Sequence, residues 1–187
     1  MTKRILVILG QPDRKSFGGA LAQAYIDGAR EAGAEVREIY LGEIQFNPAP
    51  VNKVEMEPDI VKAQESIKWA EHLVFVYPIW WGTIPALLKG FIERTFTPGF
   101  AVNFRGRLWD KLLKGRSARL IASFNTPSFI YRWVFGRPGH VTMKRTILQF
   151  SGISPVRISD IAPVVGSSDA QRAKWLKQVR ALGRRGV

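Results

Sequence analysis

The sequence predicts an α/β fold, a doubly wound parallel sheet of five strands in the order 2-1-3-4-5, built by a single domain over residues 1–187. Two observations predict it. Short apolar runs rich in β-branched residues recur at residues 5–9, 36–40, 73–77, 120–124 and 156–161, with the length and composition of strands. The segments between them carry apolar residues at the i, i+3, i+4, i+7 spacing of helices with one buried stripe. Strict alternation of the two, with right-handed crossovers, makes the strands parallel. Five strands suit this order better than the six-stranded dinucleotide-binding arrangement.

Taken in order, the runs at 5–9, 73–77 and 120–124 are nearly continuous hydrophobes, as strands covered on both faces require. The helical stripes are Leu21, Ala24, Tyr25, Gly28 and Ala32; then Ile60, Ala63, Gln64 and Ile67; then Leu88, Phe91, Ile92 and Thr95; then Met143, Ile147 and Phe150. A last helix opens at Ser168 and Gln171 in capping-box spacing. It turns Trp175, Leu176, Val179 and Leu182 inward and stops near Gly183. In the order 2-1-3-4-5 the chain reverses between strands 1 and 3, so ligand chemistry belongs on the loops at residues 10–16, 78–84 and 125–139.

Composition narrows the chemistry. The chain has no cysteine, which excludes disulfides and thiol catalysis, and its two histidines, His72 and His140, stand in no metal-ligand spacing. No apolar run approaches the ~18 residues of a membrane span, and the start at residues 1–9 is too short for a signal peptide, so a cytoplasmic protein is expected. Lys and Arg number 28 against 15 Asp and Glu, a formal charge of +13. Such a field favours anionic partners, but no sequence signature of specific nucleic-acid binding accompanies it.

The loop from Gly10 through Gln11 and Ser16-Phe17-Gly18-Gly19 ends a strand and opens a helix. Helix-start amides, a hydroxyl and glycines allowing close approach make an anion site suited to a phosphate monoester. A plain N-cap role for Ser16 is the alternative. The segment Tyr77-Pro78-Ile79-Trp80-Trp81-Gly82-Thr83-Ile84-Pro85 puts paired indoles on a turn at the sheet's carboxyl edge. A flat conjugated ring can lie along Trp80, its heteroatoms met by amides of residues 79–82. One of the two indoles is expected to be buried.

The stretch from Tyr77 to Phe96 resembles the signature of flavodoxin-like NAD(P)H:quinone oxidoreductases, the group that includes animal quinone reductases and ancillary subunits of potassium-efflux systems. Ser16-Phe17, Phe46-Asn47-Pro48 and Pro98-Gly99-Phe100-Ala101 add to the likeness. The resemblance implies that Ser16, Phe17 and Gly18 hold a flavin phosphate. It implies that Pro78, Ile79, Trp80, Trp81 and Gly82 border the isoalloxazine, with Asn125 and Thr126 in the place of the family's Thr-Thr-Gly-Gly loop. Tyr131 and His140 resemble the Tyr and His that face the substrate side of the ring, where they would give hydrogen bonds or protons to the acceptor. Val102 and Phe104 match positions that reach a partner subunit's site.

Gln11 stands where FAD-using relatives carry His, which favours FMN, with FAD the alternative. The resemblance further implies an NADPH or NADH donor, with Arg132 or Arg137 gripping the extra phosphate of NADPH, and a quinone-like acceptor. A homodimer is expected, because Phe104, Trp109, Trp133 and Phe135 fall in loops too aromatic for solvent. The alternative function is a redox-sensing ancillary subunit of a membrane transporter. A phosphoacceptor receiver domain is excluded by Gln11 and Tyr77-Pro78, where it needs acids, and a one-electron flavodoxin carrier is disfavoured by the positive charge.

Overall fold

The computed structural model describes residues 2–49 and 55–187. Its strands are β1 (Arg4–Leu9), β2 (Glu35–Tyr40), β3 (His72–Pro78), β4 (Val102–Arg105), β5 (Leu108–Lys111), β6 (Ser117–Ser123) and β7 (Val156–Ile161). The helices are α1 (Phe17–Glu31), α2 (Pro58–Trp69), α3 (Ala86–Thr95), α4 (Ser128–Trp133), α5 (Pro138–Val141), a π-helical segment (Thr142–Gln149) and α6 (Asp169–Arg185). Five strands form a parallel sheet in the order β2-β1-β3-β6-β7, while β4 and β5 pair as a separate antiparallel hairpin. With the hairpin set aside, the parallel strands follow the expected 2-1-3-4-5 order.

Alternation along the strands builds two cores, since successive side chains point to opposite faces. Leu6, Ile8, Leu73, Phe75, Tyr77 and Leu120 meet α2, α3 and the π-helical segment on one face. Ile5, Val7, Leu9, Val74, Val76 and Ile121 meet α1 and α6 on the other. The helices α1 and α6 lie with their backbones nearly in contact: a Cβ on Gly28 would stand 2.0 Å from the carbonyl oxygen of Arg180, and one on Gly183 2.1 Å from that of Tyr25.

Four local expectations change. The strand expected at 120–124 runs over Ser117–Ser123, its early part masked in the sequence by Arg119. That side chain is buried because its guanidinium donates to Ser159 Oγ (2.6 Å) and to the Val187 carbonyl. The hairpin β4–β5 was not anticipated, although its Phe104–Trp109 pair and the Gly106 turn (φ 61°) carry the signal. The fourth helical stripe is π-helical: Met143 and Leu148, five residues apart, are the buried pair, as i→i+5 hydrogen bonding dictates. The last helix runs on to Arg185 and is stopped by left-handed Gly186, so Gly183 serves the contact with α1; the Ser168 cap on the Gln171 amide is as expected.

His72 opens β3 and is buried, with Nδ1 2.7 Å from Ser117 Oγ. Burial, helped by Lys3, Arg119 and Arg157, pushes its pKa down to about 3. The unfolded chain therefore takes up a proton near the ordinary value of ~6.5 that the folded chain refuses. Stability is full above that pH and falls as pH drops through it toward 3. We expect a loss of about 2 kcal/mol from this group between pH 7 and pH 5. Urea unfolding of the native chain and of His72→Gln at both pH values checks this, the variant showing the smaller loss.

Candidate active site

The carboxyl ends of β1, β3 and β6 are adjacent, so the three loops that follow them meet at one edge of the sheet. After β1, Ser16 caps α1 by accepting from the Gly19 amide, and its hydroxyl donates to the Asp13 carbonyl at 2.7 Å. Gln11 is buried against it, its Nε2 donating to Asp13 O (3.1 Å) and to Ser16 Oγ. Gly18 packs on the Gln11 side chain, and Gly19 lies so close to the Arg14 carbonyl that a Cβ would stand 1.8 Å from its oxygen. The Phe17 ring turns away onto Trp175 of α6, with centroids 6.1 Å apart. Among the described residues, the Phe17 and Gly18 amides have no hydrogen-bond partner, whereas Arg14 is committed to Glu43 and to the face of Tyr40.

After β3, Trp80 and Thr83 exchange two backbone hydrogen bonds of 3.0 Å, closing a turn whose central residues Trp81 (φ 51°) and Gly82 (φ 78°) are both left-handed. This mirror-image turn suits Gly at its second central position, while Trp81 bears the strain at the first. It also throws the indoles outward: Trp80 is 50% and Trp81 103% exposed, so within the chain neither is buried. Of the amides expected to face a ring, Ile79 donates to the Ser123 carbonyl and Trp80 to that of Thr83. Only those of Trp81 and Gly82 are unpaired among the described residues.

After β6, Asn125 Oδ1 accepts from the Val165 amide, and α4 turns Tyr131 inward. The Tyr131 hydroxyl donates to the Gly82 carbonyl (3.0 Å) and accepts from the Gly139 amide (3.1 Å), tying the two loops together. Burial pushes its pKa up. His140 Nε2 lies 2.9 Å from Asp160 Oδ1 at the end of β7, and its Nδ1 is buried without a partner among the described residues.

These loops enclose a cleft of about 550 Å³. Ile79, Trp81, Gly82, Asn125, Thr126 and Tyr131 line it, together with Phe124, Phe135 and Pro138, which sequence reading missed. A second cleft of about 400 Å³ lies on the other side of α4, lined by Arg132, Trp133, Arg137, His140, Lys144 and Arg145. Gln11, Ser16, Phe17 and Gly18 gather beside the first cleft's strand, at the end of β1.

The expected site residues are spread over more than one cleft. Tyr131 and His140 do come together, with rings 5.2 Å apart, but they are 1% and 2% exposed and their polar atoms point into protein. The Tyr131 hydroxyl is bonded to the Gly82 carbonyl and the Gly139 amide, and His140 Nε2 to Asp160, so both brace the loop. Arg132 and Arg137 line the second cleft and not the first. Phe104 lies on the hairpin in a third cleft with Ile92, Phe96, Ile147 and Phe150, away from the first within this chain. Gln11 spends its amide nitrogen on its own loop. Asp160 was overlooked, although it is the acid that ends a stretch from Lys111 to Ser159 free of Asp and Glu.

The family model described as flavodoxin-like fold matches residues 3–182. The chain belongs to the flavodoxin-like fold family. Within that family, the NAD(P)H dehydrogenase [quinone] 1 of Rattus norvegicus is 29% identical over 133 residues, which is 58% of this chain and 48% of the rat protein. The chain thus spans about half the length of that curated relative. The crystal structure of Smu.1420 from Streptococcus mutans UA159 is 29% identical with a TM-score of 0.87, covering 97% of this flavodoxin-like chain and 98% of that one. An FMN-dependent NADH-azoreductase from Bacillus anthracis str. Ames Ancestor, solved in complex with FMN, shares the fold at 19% identity and a TM-score of 0.74, covering 99% of each chain. The potassium-efflux branch of the resemblance has no counterpart among these three.

Proposed function

We propose that this protein is a flavin-dependent NAD(P)H oxidoreductase that carries FMN and reduces a quinone or similar flat acceptor. The observation that carries the reading is the aromatic-walled cleft with the unpaired Trp81 and Gly82 amides at its turn, next to the strand end where the Phe17 and Gly18 amides start the 15-residue α1. Unpaired amides at a helix start suit a phosphate ester. A cleft of this size, apolar with a few polar groups, suits a planar ligand. The rat dehydrogenase and the FMN-bound azoreductase support the same reading.

When bound, the flavin supplies two-electron transfer between a nicotinamide and an acceptor. In this reading Ser16, Phe17 and Gly18 hold its phosphate, while Pro78, Ile79, Trp80, Trp81 and Gly82 border its ring with Asn125 and Thr126. Trp81 and Phe135 add aromatic surface to the cleft's lining. Tyr131 and His140 are positioning residues: the first holds the Gly82 carbonyl, and the second, anchored on Asp160, supports the Tyr131 ring. Gln11, already bonded to Asp13 and Ser16, leaves no free side-chain donor for a second phosphate, which supports FMN over FAD.

Chromatography of the chromophore released from purified protein tests the reading, with FMN expected and with turnover of NADH or NADPH and a soluble quinone as the second readout. Failure of both FMN and FAD to bind at micromolar concentration overturns it. Tyr131→Phe, which loses two hydrogen bonds between loops, is expected to weaken flavin binding by about tenfold, as measured by titrating apoprotein with FMN.

The proposal includes a homodimer formed through the hairpin. Phe104 and Leu108 are exposed there, and Arg105 is paired with Asp110 at 2.6 Å, so a second copy meets an apolar surface flanked by the exposed cations Arg107 and Lys111. Light scattering of the purified protein checks it, and a monomer at every concentration rejects it.

A further inference from the structure

Phe129, Trp133, Val134 and Phe135 are all exposed within seven consecutive residues, and fully exposed Trp81 stands across the first cleft from Phe135. The helix α4 turns only Tyr131 inward and leaves Phe129 and Trp133, four residues apart, on one outer face. Beside them Arg132, Arg137, Lys144 and Arg145 border the second cleft, and none of the four is in an ion pair among the described residues. No acid lines that cleft among the described residues, and Asp160 is held by the cleft's His140. From Lys111 to Ser159 the chain has nine Lys or Arg and no Asp or Glu. An exposed aromatic patch ringed by unpaired cations is the composition of surfaces that lie in the interface of anionic membranes.

We propose that this face, formed by α4, the segment after it and the turn after β3, docks on a bilayer containing anionic phospholipid. Phe129, Trp133 and Val134 enter the boundary between headgroups and acyl chains, and Arg132, Arg137, Lys144 and Arg145 meet lipid phosphates. The charge pattern selects this occupant. A twofold contact between copies would set the same four cations against their own images, and a single-stranded nucleic acid would leave Val134 and its neighbours with no base to stack on. The proposal goes beyond the flavin reading. One consequence rests on that reading: the cleft, walled partly by Phe135, then opens at the lipid surface, so its acceptor class is a lipophilic quinone held in the bilayer.

Flotation of the purified flavin-bearing protein with vesicles tests it. Binding is expected to phosphatidylcholine vesicles containing a quarter phosphatidylglycerol, little to pure phosphatidylcholine, and weaker binding as salt rises. Lys144→Gln with Arg145→Gln should lower the partition coefficient by about 25-fold, roughly fivefold per cation. Phe129→Ser with Trp133→Ser should lower it further, and flavin absorbance of each variant reports that the fold is intact. Quenching of tryptophan emission by brominated lipid, reduced in Trp133→Phe, supports insertion. The proposal is overturned if native protein ignores anionic vesicles, or if both double variants float like the native chain. It is also overturned if Phe129→Ser with Trp133→Ser merely converts a dimer to monomer, or if an oligonucleotide displaces the vesicles and binds more tightly through the same residues. A protein that floats but holds no flavin rejects the oxidoreductase reading alone; one that turns over quinone but never floats rejects the docking surface alone.

Discussion

Gly28→Ala should lower the unfolding free energy by about 2 kcal/mol, although alanine is the better helix former by about 1 kcal/mol. The sign of the outcome is decided by contact, because the new Cβ would sit 2.0 Å from the Arg180 oxygen and 2.9 Å from its carbonyl carbon. Both are backbone atoms, so no side-chain rotation relieves the clash and α6 must move off α1. Gly183→Ala, which meets Tyr25 O at 2.1 Å, should behave alike. Gly33→Ala is the comparison: that residue has φ +80° with nothing within 4 Å, so it bears only the strain of a left-handed alanine, about 1 kcal/mol. Urea unfolding followed by circular dichroism ranks the three. A stabilised Gly28→Ala would mean that the two helices separate at no cost.

Under the proposed flavin reading, Gly19→Ala should weaken FMN binding by about 10²-fold while leaving the sheet folded. Its Cβ would overlap the Arg14 carbonyl at 1.8 Å, forcing the turn of residues 11–16 away from the start of α1. A displacement costing about 3 kcal/mol appears as that loss of affinity where the phosphate depends on the turn. Ser16→Ala removes only a cap and should cost about tenfold. Titration of apoprotein with FMN measures both. Equal affinity for native protein and Gly19→Ala would show that the flavin phosphate is held elsewhere.

Strand positions were legible because the central strands are covered on both faces and so read as short, nearly continuous apolar runs. Residues 156–161 were read with the observed limits, and 5–9 and 36–40 to within one residue. The sequence misleads where a charged residue is buried by a distant partner, as Arg119 is by Ser159, and where a helix departs from the ordinary period, as between Met143 and Leu148. In the candidate site, the residue types of the turn after β3 were legible, but the direction of their amides and indoles was not. The paired left-handed residues Trp81 and Gly82 decide that direction, and no periodicity encodes them.

By itself, then, the sequence determined the parallel sheet, its order and the three loops that meet at its carboxyl edge. Those features follow from hydrophobic spacing and turn chemistry, which act between residues near in the chain. Only the tertiary structure decided that Tyr131 braces Gly82 and Gly139, that His140 is held by Asp160, and that Arg132 and Arg137 open on a different cleft from Asn125. Which way a buried polar group points depends on the partner that compensates its lost water. Here Gly82 lies 49 residues from Tyr131 and Asp160 lies 20 from His140, distances along the chain that no local pattern spans.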